Sequence, residues 1–122
     1  MAKNIMIVDD SASLRQVVSI ALKSAGYDVV EACDGKDALG KLDGRKLHLI
    51  ISDVNMPNMD GLTFVKAAKQ LPAYKFTPVI MLTTEAGETK KREGQAAGAK
   101  AWVIKPFQPA QMLSAVAKLV LP

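Results

Sequence analysis

The sequence predicts a doubly wound α/β fold, a five-stranded parallel sheet with helices on both faces. Three observations carry this. Short apolar runs rich in β-branched residues alternate with longer stretches of helical character, five of each along the 122 residues. The first, third and fourth runs are nearly continuously apolar, as parallel strands covered on both faces should be. The second and fifth are interrupted or short, which marks them as the edges.

The elements follow in order. Ile5-Met6-Ile7-Val8 is the first strand. Leu14, Val17, Val18, Ala21, Leu22 and Ala25 then recur at i, i+3, i+4 and i+7, an amphipathic helix that Gly26 terminates. The second strand, from Tyr27 to Ala32 around Val29-Val30, is broken by Asp28 and Glu31. A short helix is expected over Ala38 to Leu42, a third strand over Leu47-His48-Leu49-Ile50-Ile51, and a helix over Leu62 to Leu71. Val79-Ile80-Met81-Leu82 forms the fourth strand. The weakest helix candidate is Thr89 to Ala97, with Gly94 inside it and few large apolar residues to bury; a poorly anchored helix is expected there. Trp102-Val103-Ile104 is the fifth strand, and Met112, Leu113, Val116, Ala117 and Val120 stripe the last helix. Strict alternation implies right-handed crossovers. No repeat, linker or low-complexity segment interrupts the pattern, so residues 1–122 read as one domain with no output domain attached.

Bulk properties narrow the function. A chain that is 49% hydrophobic and 23% charged is an ordinary globule. Cys33 is the only cysteine, which excludes an intramolecular disulfide and suits a reducing, cytoplasmic setting; it reads as a small packed residue. Met1-Ala2-Lys3-Asn4 leaves no room for a signal peptide, and no apolar run approaches the roughly 20 residues that cross a bilayer. The formal charge of +4 is spread along the chain, densest at Lys90-Lys91-Arg92, without the interleaved aromatics of a base-stacking surface. Neither nucleic acid nor membrane insertion is expected.

In open α/β sheets, ligands sit beyond the carboxyl ends of the strands. Reading those ends gives Asp9-Asp10 after strand one, Asp53 after strand three, Thr83 after strand four and Lys105-Pro106 after strand five. Three crowded carboxylates repel and favour a cation among them. Oxygen ligands with room for water suit Mg²⁺. An aspartate can act as a nucleophile and form an acyl phosphate; phosphoryl transfer then needs little beyond positioning and charge neutralisation. Lys105 supplies charge and Thr83 a hydrogen bond. Singly, each residue has an ordinary reading as a helix cap, a turn or a loop dipeptide. All of them at the carboxyl ends of the right strands favours the functional one.

These residues carry a family likeness. Ile7-Val8-Asp9-Asp10, Ser52-Asp53-Val54-Asn55-Met56-Pro57 with Met59-Asp60-Gly61, Met81-Leu82-Thr83 and Lys105-Pro106-Phe107 resemble the signature of response-regulator receiver domains. The similarity runs in order over the whole chain and is nearest to the single-domain chemotaxis members. It implies a (βα)5 flavodoxin-like sandwich of strand order 2-1-3-4-5. It implies that Asp53 is the phosphorylated residue, and that Asp10 binds Mg²⁺ directly while Asp9 acts through water. Asn55 would give its backbone carbonyl to the metal, and Thr83 and Lys105 would hold the phosphoryl oxygens. The bond before Pro106 is usually cis in the family. Thr83 and Trp102 match the switch pair that remodels the face of the fourth helix, fifth strand and fifth helix; the tryptophan is a departure, since tyrosine is common there. Asn55 and Glu85 match positions that tune hydrolysis of the acyl phosphate.

The implied partners are a CheA-like histidine kinase, a flagellar motor switch protein and a phosphatase, with the protein itself a monomer catalysing only its own phosphorylation and dephosphorylation. A phosphate sink or a regulator of a non-motor target needs the same pocket and stands as the alternative. His48, the only histidine, lies near the start of strand three, so the phosphohistidine must come from another protein. A haloacid-dehalogenase-like phosphatase would place its nucleophile after strand one in an Asp-x-Asp pattern, which Asp9-Asp10-Ser11 does not match. A flavodoxin would want a phosphate-cradling loop there, and the acidic pair would repel phosphate.

Overall fold

The computed structural model describes residues 3–83, 98–105 and 107–120. Its elements are β1 (Asn4–Val8), α1 (Ala12–Ser24), β2 (Asp28–Ala32), α2 (Gly35–Lys41), β3 (Leu49–Asp53), α3 (Gly61–Lys69), β4 (Val79–Thr83), β5 (Ala101–Ile104) and α4 (Pro109–Leu119). All pairings are parallel and the strand order is β2-β1-β3-β4-β5. The chain is thus doubly wound, with β2 and β5 at the edges as their interrupted sequences predict. Glu85, the segment Thr89 to Ala97 with its basic run, and Pro106 lie outside the described residues.

Alternation along the central strands sorts their side chains into two cores. Met6, Val8, Ile50, Val79 and Met81 pack with Phe64, Val65 and Ala68 of α3 and Ala38 of α2. Ile5, Ile7, Leu49, Ile51, Ile80 and Leu82 pack with Val18 and Leu22 of α1 and Met112 and Val116 of α4. Every residue of β3 and β4 is buried. Such strands are expected to be apolar on both faces, so the polar residues at their carboxyl ends, Ser52 and Asp53 of β3 and Thr83 of β4, stand out.

Several elements depart from the sequence expectation. In α1 the inward line is the partly buried Leu14 with the buried Val18 and Leu22, spaced by four; Val17 falls on the flank and is 50% exposed, Ala25 is exposed, and Ser19 is buried instead. The helix ends where expected, with Gly26 at φ 96°, a conformation that glycine adopts without strain. Helix α2 begins three residues earlier than its apolar pattern suggests, because Asp34 caps it by accepting the Asp37 N–H at 2.7 Å. Helix α3 begins and ends earlier than expected, at Gly61 and Lys69, with Asp60 as its cap. In α4, Ala117 is exposed and the buried line is Met112, Val116 and Val120. Cys33 is exposed, not packed, since it lies beyond the last paired residue of β2. Local desolvation and the Asp37 hydrogen bond push its thiol pKa up, away from nucleophilic use. No helix among the described residues is long and apolar enough to cross a membrane.

Candidate functional site

The strand ends converge as the sequence predicts. Ser11 takes the cap of α1, accepting the Leu14 N–H, which leaves Asp9 and Asp10 for the rim. Asp9 is fully buried: Oδ1 accepts the Ser11 N–H at 2.9 Å, and Oδ2 accepts from Lys105 Nζ at 2.9 Å. Asp10 is exposed. Asp53, 6% exposed, pairs with the same ammonium at 3.2 Å. One carboxylate oxygen from each of Asp9, Asp10 and Asp53 lies within 4.8 Å of the others.

Electrostatics follow from this crowding. Burial, and then the charge of Asp9, raise the Asp53 pKa; Lys105 opposes them without cancelling them. Burial pulls the Lys105 pKa down, but Asp9 and then Asp53 outweigh it, so the ammonium holds its proton more firmly than a free lysine. Among the described residues, one ammonium thus pairs with two of the three clustered carboxylates. The set fits Mg²⁺: its donors are hard oxygens, they converge, and their charge exceeds what Lys105 neutralises.

Thr83 closes β4 at 1% exposure, and its carbonyl accepts the Lys105 N–H at 2.7 Å, which ties the lysine to the adjacent strand end. Asn55 is exposed in the loop just after Asp53. Trp102 lies on β5 opposite Met81, two positions before the Thr83–Ile104 pair. It is partly buried, packs on the core cluster shared with α3, and lines a groove of about 620 Å³ between β5 and α4 with Gln111, Ser114 and Lys118. His48 sits at the opposite end of the sheet, where its Nδ1 accepts the Asn4 N–H at 3.0 Å. Thus Asp9, Asp10, Asp53 and Lys105 share one rim, and His48 lies away from it.

Sequence reasoning missed three contributors. Arg15 donates to the Asp9 carbonyl at 2.6 Å and pairs with Glu31 at 3.3 Å, so it steadies the acidic loop from α1. Its place in the first turn of a helix that follows Asp-Asp was the only available signal. Gly61 lies against the Asp53 backbone: a Cβ there would stand 1.8 Å from the Asp53 carbonyl oxygen. The Asp60-Gly61 pair was visible, though not this reason for it. Asn58 bonds Asp34 across 24 residues, which no local pattern announces.

The model of the response regulator receiver domain matches residues 5–117. The chain is 38% identical to the chemotaxis protein CheY1 of Helicobacter pylori over 119 residues, spanning 96% of this chain and 95% of that one. It is 37% identical to the protein PilG of Pseudomonas aeruginosa over 112 residues, 92% of this chain and 83% of PilG. The solved structure of chemotaxis protein CheY4 from Vibrio cholerae superposes with a TM-score of 0.94 at 48% identity, covering 98% of this chain and 99% of CheY4. A fold, a rim and relatives that agree over nearly the whole chain lead to one conclusion: the protein belongs to the response regulator receiver family, among its CheY-like chemotaxis members.

Proposed function

We propose that this receiver accepts a phosphoryl group on Asp53 from a CheA-like histidine kinase in the cytoplasm. The observation that carries the reading is the buried Asp53 carboxylate held 3.2 Å from Lys105 beside a second buried carboxylate. An Asp53 oxygen attacks phosphorus in line, the phosphorus–nitrogen bond of the kinase phosphohistidine breaks, and its electron pair leaves on the imidazole, which takes up a proton. Asp53 becomes an acyl phosphate. Lys105 stays protonated and faces the incoming charge, and the Thr83 hydroxyl serves as donor to a phosphoryl oxygen. Asp10, Asp53 and the Asn55 carbonyl would hold Mg²⁺, whose chemistry is to neutralise the phosphoryl oxygens as charge redistributes. Asp9 has both oxygens occupied by Ser11 and Lys105, which supports a role for it through water, while the exposed Asp10 binds directly.

Phosphorylation draws Thr83 toward the acyl phosphate and lets Trp102 repack, which alters the surface around β5 and α4 for a target such as the flagellar motor switch. Asn55 and Glu85 set how quickly water returns Asp53 to its free state, with or without a phosphatase.

Intact-protein mass spectrometry after incubation with acetyl phosphate tests this, with Mg²⁺ or EDTA, on wild type and Asp53→Ala. A Mg²⁺-dependent gain of one phosphoryl group in wild type alone is expected. Beryllofluoride binding on the same samples covers rapid hydrolysis. No adduct and no binding would leave a phosphorylation-independent binding module. Binding of a motor-switch N-terminal peptide only after beryllofluoride treatment would support the motor as target; no binding in either state would sink it.

A further inference from the structure

The loop of residues 54–60 carries Asn55 past the acidic rim, and its shape is fixed from outside the rim. Asn58 is the only non-glycine residue among those described with a positive φ, 65°. Asparagine tolerates that conformation better than most side chains, but it still needs a reason to be held there. The reason is a tie to Asp34: Asn58 Nδ2 donates to Asp34 Oδ2 at 2.8 Å. The other Asp34 oxygen caps α2 through the Asp37 N–H at 2.7 Å. A single carboxylate, 7% exposed, therefore joins the start of α2 to the far side of the loop.

Glycines reinforce the clamp on both flanks. Gly35 donates its N–H to the Met59 carbonyl at 3.2 Å, and a Cβ at position 35 would lie 2.8 Å from Met59 Cγ and 2.9 Å from Met59 O. Gly61 donates to the Val54 carbonyl at 2.8 Å while pressed on the Asp53 backbone. The loop is thus gripped by α2 on one side and by the β3 end on the other, with Asn55 between the grips. Asp34 stays a competent acceptor at neutral pH, because the Asp37 N–H first, and the Asn58 amide second, lower its pKa.

We propose that Asp34 and Asn58 are positioning residues for the cation site: they hold the loop so that the Asn55 carbonyl reaches the rim, and they set the affinity for a divalent cation. The proposal rests on the metal-assisted phosphoacceptor reading given above. Mg²⁺ demands near-ideal octahedral geometry, so a ligand on a loosened loop binds it less well. Partners behind metal ligands are commonly worth ten- to a hundredfold in affinity.

Calorimetric titration with Mg²⁺ at 25 °C tests it on wild type, Asn58→Gly, Asp34→Asn and the double variant, each checked for native far-ultraviolet circular dichroism in EDTA. Asn58→Gly keeps the positive φ free of strain and removes only the amide; Mg²⁺ affinity should fall about tenfold. Asp34→Asn keeps the cap oxygen and still meets the Asn58 amide after a flip, so it should stay near the wild-type affinity. The double variant should match Asn58→Gly alone. Wild-type affinity in a folded Asn58→Gly protein would overturn the proposal, leaving the tie as a fold contact that moves thermal stability only. Absence of Mg²⁺ binding in wild type would instead remove the metal reading itself, and the inference with it.

Discussion

At the scale of single residues, the site is governed by one ammonium among carboxylates. Lys105 is held by ion pairs at 2.9 and 3.2 Å, and without it the fully buried Asp9 would lose its counter-charge. Lys105→Ala should cost about 3 kcal/mol in denaturant unfolding, as breaking a buried pair from one side does; an unchanged urea midpoint would mean that the pairs add nothing net to folding. Asp53 works in the other direction. Its pKa is raised in the folded state, so the native protein binds that proton more tightly than the unfolded chain. Stability therefore falls as pH rises from the ordinary carboxylate range through the raised pKa, and the deficit persists above it. Asp53→Asn should gain about 1 kcal/mol at pH 7, with the gain vanishing below about pH 4, the ordinary carboxylate value. Equal gains at both pH values would mean that charge is not the cause. The rim itself was legible because each of its members ends an apolar strand. Arg15 and the Asp34–Asn58 tie were not, because pairings across loops leave no periodic trace.

Among the elements, those with continuous apolar runs were read closely and those set by caps were not. Strands β1, β3 and β4 came within two residues of their expected ends, since burial on both faces leaves little freedom. Helix α2 was misplaced because its start is decided by Asp34, outside the apolar pattern. In α1, Val17 looked like a core residue by spacing but lies half exposed on the flank. Val17→Lys should change the unfolding free energy by no more than about 0.5 kcal/mol, the range for surface positions; a loss near 2 kcal/mol, typical of a core site, would put Val17 inside. Gly61 is the opposite case. With 1.8 Å between a hypothetical Cβ and the Asp53 carbonyl oxygen, Gly61→Ala must push α3 away from β3. It should cost about 3 kcal/mol or more, and weaken acetyl phosphate labelling by moving Asp53. Wild-type labelling in a destabilised variant would show that the strand end resists the shift.

For the whole molecule, alternation pointed to the layers, while the strand order was implied by family resemblance and is now seen as β2-β1-β3-β4-β5. That order brings β1 and β3 side by side and places their acidic ends against each other. With the cation site proposed above, Mg²⁺ at a hundred times its dissociation constant should add about 2.7 kcal/mol to folding. Melting curves in Mg²⁺ and EDTA measure this, and Asp10→Asn should abolish most of the difference. A Tm indifferent to Mg²⁺ would mean no preference for the native state.

Trp102 brings one further consequence. It is the sole indole in the chain, partly buried on an edge strand opposite Met81 and a short step from Thr83. Excited selectively, it would emit without competition from any second tryptophan, so the protein contains its own optical reporter. Stopped-flow emission then tests the proposed repacking in real time on unlabelled, unmutated protein, at the residue proposed to move.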